Sequence, residues 1–188
     1  MADAVVVPGL WFGPGAPLLM YSGDAAERRG ATVHRHSWSQ EPPEPLDDAR
    51  TEGWVRGEVA PLLDRLDGRG PHEVPDRRPL LIAKSLGSNA AALAAERSLP
   101  AVWITPLLHL PWVAAALARA SAPFLLVGGT ADRSWDGALA RRLSPHVFEV
   151  EGANHGMYVP GPLTDSVAVL GRVVVAVEEF LDAIAWPG

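Results

Sequence analysis

The sequence predicts an α/β fold: a doubly wound, three-layer sandwich on a mainly parallel six-stranded sheet. Three observations predict it. Short β-branched runs alternate with longer segments of helical periodicity along the whole chain. The strand candidates are continuously apolar, as in sheets covered on both faces, rather than alternating apolar with polar. The 188 residues suit one domain, 1–188, and a chain of that length buries about 70% of its unfolded surface without a disulfide or metal staple. Right-handed crossovers between parallel strands then place helices on both faces.

Residues 4–7, Ala-Val-Val-Val, read as a buried strand ended by Pro8-Gly9. A Gly- and Pro-rich loop leads to a helix over 17–29, stopped by Gly30. A second strand spans 31–38, and 39–46 is an acidic, proline-rich loop. Asp47 or Asp48 can N-cap a helix running to 67, with Trp54, Val55, Val59, Leu62, Leu63 and Leu66 facing inward. Strands over 79–83, 101–104, 124–127 and 146–150 alternate with helices over 87–97, 112–119 and 135–143. The last helix covers 164–184, with Val167, Leu170, Val174, Val177 and Leu181 as its apolar stripe.

Composition narrows the function. With 16 Lys+Arg against 22 Asp+Glu and a net charge of −6, the chain lacks the basic face that nucleic-acid binding requires. Zero cysteines exclude a disulfide framework, zinc–thiolate sites and a Cys nucleophile. The N-terminus is acidic and its apolar run is short, so no signal peptide is expected. The most apolar stretch, 166–177, contains Arg172 and is too short to span a bilayer. A cytoplasmic protein with no membrane partner is the expectation.

In such sheets the residues just beyond the strand ends carry the chemistry. The third strand runs into Ala83-Lys84-Ser85-Leu86-Gly87 and directly on into a helix. Small–x–Ser–x–small at a strand-to-helix turn is the nucleophile-elbow pattern: the flanking residues must be small where backbones approach, and the Ser hydroxyl projects from the sheet. Alone, Ser85 reads equally well as a helix N-cap. Asp132 follows the fifth strand in Gly129-Thr130-Ala131-Asp132, and His155 follows the sixth in Gly152-Ala153-Asn154-His155-Gly156. Separately, each is an ordinary loop residue. Together they give Ser…Asp…His in chain order, each at the carboxyl edge of a different strand of one sheet.

On these residues the chain resembles the α/β-hydrolase superfamily, in particular its small, uncapped, dienelactone-hydrolase-like and esterase-like members. Pro8-Gly9-Leu10-Trp11 falls where that family carries its oxyanion loop. Only 105–111 separates the fourth strand from its helix, which leaves no room for a cap. The resemblance implies strand order 2-1-3-4-5-6. It also implies Ser85 as nucleophile, His155 as base and then acid, Asp132 as the residue orienting the imidazole, and the N–H groups of Leu86 and Leu10 as oxyanion donors. Trp11, Leu107, His109 and Trp135 are the pocket candidates. The implied substrate is a small carboxylic ester or thioester, with no cofactor and no metal. The same fold also hosts idle binding proteins, and lyases or cyclases using the same residues. An apolar sheet edge leaves a homodimer open.

Other signals carry less. A phosphate-binding loop would need Gly at positions held by Arg78 and Ala83. Lys84, the chain's one lysine, invites a Ser-Lys pair, but neighbours on a strand point to opposite faces, so it reads as structural. His34 and His36 share a strand face without a convincing third ligand, although His109 or His72 could approach them. His146 reads as a surface residue, and Arg28-Arg29 and Arg141-Arg142 as solvated helix ends.

Overall fold

The structure, a computed structural model, describes residues 2–67 and 78–186. Strands and helices alternate as β1 (Asp3–Val7), α1 (Pro17–Glu27), β2 (Thr32–Arg35), α2 (Arg50–Asp67), β3 (Leu80–Lys84), α3 (Ala91–Arg97), β4 (Ala101–Ile104), α4 (Pro111–Arg119), β5 (Phe124–Gly129), α5 (Gly137–Leu143), β6 (His146–Val150) and α6 (Leu163–Phe180). All six strands are parallel, in the order β2-β1-β3-β4-β5-β6. Among the described residues no cap domain is inserted, and β4 is followed after six residues by α4.

The period of two along each strand divides the core. Val5, Val7, Leu81, Ala83, Trp103 and Leu126 face α2, α3, α4 and α5. Ala4, Val6, Leu80, Ile82, Val102, Ile104 and Val127 face α1 and α6. The chain reverses its direction of winding between β1 and β3, so the crevice of a doubly wound sheet opens beyond the carboxyl ends of those two strands. Gly9-Leu10 and Ser85 lie there.

Five local expectations are corrected. β2 ends at Arg35 rather than 38, because Trp38 turns off the ladder to pack against Trp54, with ring centroids 4.9 Å apart. The helix expected from Gly87 begins as a 3₁₀ segment, Ser85–Ala90, ahead of α3. The buried line of α6 runs through Ser166, Val169, Val173, Val177 and Phe180: Val177 and, just past the helix, Leu181 are buried as expected, Leu170 and Val174 are half-buried, and Val167 is 60% exposed. Arg29, instead of ending a helix in solvent, bonds Asp182 at 2.5 Å and Glu178 at 3.3 Å, joining the end of α1 to the carboxyl end of α6 and the turn after it. His146 is half-buried, with its ring 5.5 Å from Phe180. Among the described residues, no helix is long and apolar enough to cross a membrane.

Candidate active site

β3 delivers Ser85 through a strained turn. Ser85 has φ of +49°, a left-handed conformation that L-residues adopt at a cost. The 3₁₀ segment that follows is held by its own side chains: Ser88 Oγ donates to the Ser85 carbonyl at 2.6 Å, and Asn89 Nδ2 to the Leu86 carbonyl at 2.9 Å. Asn89 in turn accepts from the Trp112 indole at 2.8 Å, and Ser88 from the Leu107 N–H at 3.1 Å, which ties the elbow to the β4–α4 loop. A Cβ at Gly87 would stand 2.9 Å from the Val7 carbonyl oxygen. The steric demand read from the sequence is therefore a close approach of β1 to the elbow.

The turns after β5 and β6 bring in the other two side chains. His155 Nε2 lies 2.7 Å from Ser85 Oγ, and His155 Nδ1 lies 2.7 Å from Asp132 Oδ2. A carboxylate only accepts, so Nδ1 carries the ring proton and Nε2 accepts from the serine hydroxyl. Burial pushes the Asp132 carboxyl up. The bonds from His155 and the Ser134 N–H outweigh it, with the charges of His155 and Lys84, and hold the group below its usual value. The His155 turn is braced by Asn154, whose Oδ1 accepts from the N–H groups of Gly156 and Tyr158 at 2.8 and 3.1 Å.

Ser85 opens into a cavity of about 160 Å³ bounded by Leu10, Leu86, Leu107, His109 and Leu110. A Cβ at Gly9 would lie 3.4 Å from that of Ser85, so the loop after β1 packs directly against the serine. The Trp38 indole donates to the Gly9 carbonyl at 3.1 Å. In a trans peptide the C=O and the following N–H point in opposite directions, so this bond fixes which way the Leu10 N–H faces. The Leu86 N–H sits in the first turn of a helix, where donors have no intrahelical partner. An apolar groove of about 260 Å³ lies beyond the His155 turn, between Phe12, Leu18, Met157, Leu163 and Leu170.

No protein-family profile matches the chain, and neither does any curated protein sequence. Solved structures do. A Xanthomonas campestris pv. campestris protein described as a candidate hydrolase of the α/β superfamily is 23% identical, with a TM-score of 0.63 over 98% of this chain and 100% of that one. An α/β serine hydrolase without lid from Xanthomonas campestris is 15% identical, with a TM-score of 0.64 over 97% and 83% of the two chains. A dienelactone hydrolase from Anabaena variabilis is 18% identical, with a TM-score of 0.66 over 98% and 87%. The fold is that of the α/β hydrolases.

Within this α/β-hydrolase fold, the expected residues divide. Leu10, Leu86, Leu107 and His109 border the cavity beside Ser85. Trp11 and Trp135 do not. Trp11 is 87% exposed on the outside of its loop, and the Trp135 indole lies against Gly128 and donates to Glu149 at 2.7 Å. His34 instead bonds Asp3 at 2.7 Å, and His36 approaches Glu58 at 3.4 Å. His72 lies outside the described residues. Among the described residues no group of three metal-ligating side chains converges. Sequence reading missed Trp38, Ser88 and Asn89; an Asn or Ser within the first turn after an elbow was the available signal for the last two.

Lys84 is the further surprise. Its side chain is fully buried, and Nζ donates to Thr105 Oγ1 at 2.9 Å and to the His155 carbonyl at 2.9 Å. Burial pulls the amine down from 10.5 to about 8, against the attraction of Asp132. The unfolded chain keeps this proton to about pH 10.5, so between pH 8 and 10.5 the unfolded state binds more protons. Stability contributed by this group therefore rises with pH across that window, by on the order of 3 kcal/mol in full. Melting temperatures of the native protein and Lys84→Met, compared from neutral to alkaline pH, should diverge in favour of the native protein. Parallel curves would contradict the buried ammonium.

Proposed function

We propose that the protein is a serine hydrolase that cleaves small carboxylic esters or thioesters through an acyl-enzyme. Ser85 is the nucleophile. A serine hydroxyl is unreactive at neutral pH until a base takes its proton, and His155 Nε2 is that base. Attack on the substrate carbonyl forms a tetrahedral oxyanion, which the N–H groups of Leu86 and Leu10 stabilise. Asp132 holds the ring in the required tautomer and stabilises the imidazolium. The imidazolium then protonates the departing alcohol or thiol as the acyl-enzyme forms. Water, deprotonated by the same imidazole, attacks the acyl-enzyme and releases the acid and free Ser85. No step calls on a cofactor or metal.

The observation that carries this reading is the unbroken pair of 2.7 Å hydrogen bonds linking Ser85, His155 and Asp132 at the crevice of the sheet. The cavity beside Ser85, about 160 Å³ and walled mainly by leucine, supports a small and apolar acyl or leaving group. Two measurements test it. A nitrophenyl ester should give a burst of nitrophenol equal to the enzyme concentration. A fluorophosphonate should modify Ser85 stoichiometrically, as read by peptide mass. Neither burst nor modification is expected of an idle binding protein of the same fold, and their joint absence would reject the hydrolase.

A further inference from the structure

We infer that Lys84 is a positioning residue for this reaction: a tether that fixes the loop carrying His155 against the strand end carrying Ser85. The inference rests on the hydrolase reading above. Lys84 is chain neighbour to the attacking serine, yet its ammonium points away from it, onto the α1–α6 face of β3. There it bonds the backbone carbonyl of His155, whose ring holds the serine hydroxyl on the other side. The spacing between Ser85 and His155 is thus set twice, once through their own hydrogen bond and once through Lys84.

The environment suits a tether better than a filler. An ammonium has three N–H directions. One goes to Thr105, one to the His155 carbonyl, and the third side faces the Phe12 ring, 4.5 Å from its centroid. The three turns that meet around it are all strained: Ser85, Thr105 and Met157 have φ of +49°, +43° and +62°. Thr105 is β-branched, the residue type least suited to that region, and the turn aims its hydroxyl at Nζ. A methionine would fill the same volume without desolvating a charge. What it could not do is hold a carbonyl on one loop and a hydroxyl on another at once. Strain of this kind persists only where the surroundings over-determine it, and a single ammonium joining the ends of β3, β4 and the turn after β6 supplies that constraint.

The chain has no other lysine, so the protein labelled with ¹⁵N-lysine gives one side-chain nitrogen signal, that of Lys84. It should be protected from solvent exchange and should shift when a fluorophosphonate modifies Ser85. The companion experiment compares fluorophosphonate labelling, kcat and KM in the native protein and in Lys84→Met. Labelling rate and kcat should fall by about 10- to 100-fold, the effect of a small misplacement of a catalytic group. KM should stay, and the melting temperature at neutral pH should not drop. A residue that only fills the core would leave labelling rate and kcat alone, since methionine fills the same volume.

The outcomes separate cleanly. Native protein that neither labels nor gives a burst overturns the hydrolase reading and the tether with it. Native protein that labels, beside Lys84→Met labelling equally fast, overturns the tether alone. Should Lys84→Met fail to fold, the nitrogen signal decides: one that is unmoved by modification of Ser85 overturns the tether.

Discussion

Ser85→Ala and His155→Ala are each expected to lower kcat on a nitrophenyl ester by about 10⁶-fold, and the double variant by no more than either alone. The reason is that the hydroxyl and the imidazole act as one unit. A serine without a base has almost no nucleophilic character, and a base without its serine has nothing to activate, so the second deletion removes what the first has already disabled. Asp132→Asn should cost less, about 10⁴-fold, because the imidazole remains while the partner that fixes its tautomer is lost. KM should change little in all three, since the side chains removed do not wall the cavity apart from Ser85. A residual rate above water should survive in each, from the Leu86 and Leu10 N–H groups. Single-turnover kinetics on the native protein and the four variants measures this directly. Losses that multiply in the double variant would mean that the two residues act independently, and the hydrogen bond between them would have no part in the reaction.

The parts of this site that the sequence discloses are those with a local signature. Buried parallel strands are short apolar runs bounded by Gly and Pro, and each of Ser85, Asp132 and His155 sits just past one of them, so chain order alone suggested their convergence. The 3₁₀ segment was hidden because Ser and Asn read as neutral in a helix, while here their side chains bond the carbonyls of Ser85 and Leu86. On α6, Val177 and Leu181 were legible as inward, but apolar residues also flank the buried line, so Val167 reads as inward although it is 60% exposed. Trp11 is near the site in sequence, but which way a loop residue faces is a tertiary matter, and it is Trp38, from beyond β2, that reaches the Gly9 carbonyl. Alternation along β3 correctly turns Lys84 away from Ser85. Its partners stayed illegible because one is a hydroxyl and the other a backbone carbonyl 71 residues away.

Gly129→Ala should damage both stability and catalysis, through a contact that involves none of the reacting groups. Gly129 closes β5 and pairs with Val150 of β6. A Cβ there would lie 2.2 Å from the Ala153 carbonyl oxygen and 2.6 Å from its Cβ. These are backbone or directly backbone-attached atoms, so no side-chain rotation relieves the overlap. Ala153 is fully buried, and its carbonyl already accepts from the Ala131 N–H at 3.0 Å, in the turn that carries Asp132. The segment must therefore move, and His155 lies two residues along it. Overpacking of this kind costs about 1–3 kcal/mol, and each kcal/mol lowers the melting temperature of a chain this size by about 2–4 °C. Displacing the imidazole by about an ångström should reduce kcat by about 100-fold. Gly171→Ala is the control: it lies in α6 with nothing within 4 Å of its Cβ position, so the same change should stabilise by about 1 kcal/mol through helix propensity and leave kcat alone. Opposite signs at two glycines would locate the effect in the packing of the His155 loop; a Gly129→Ala enzyme with native stability and rate would mean that β5 and that loop do not meet as described.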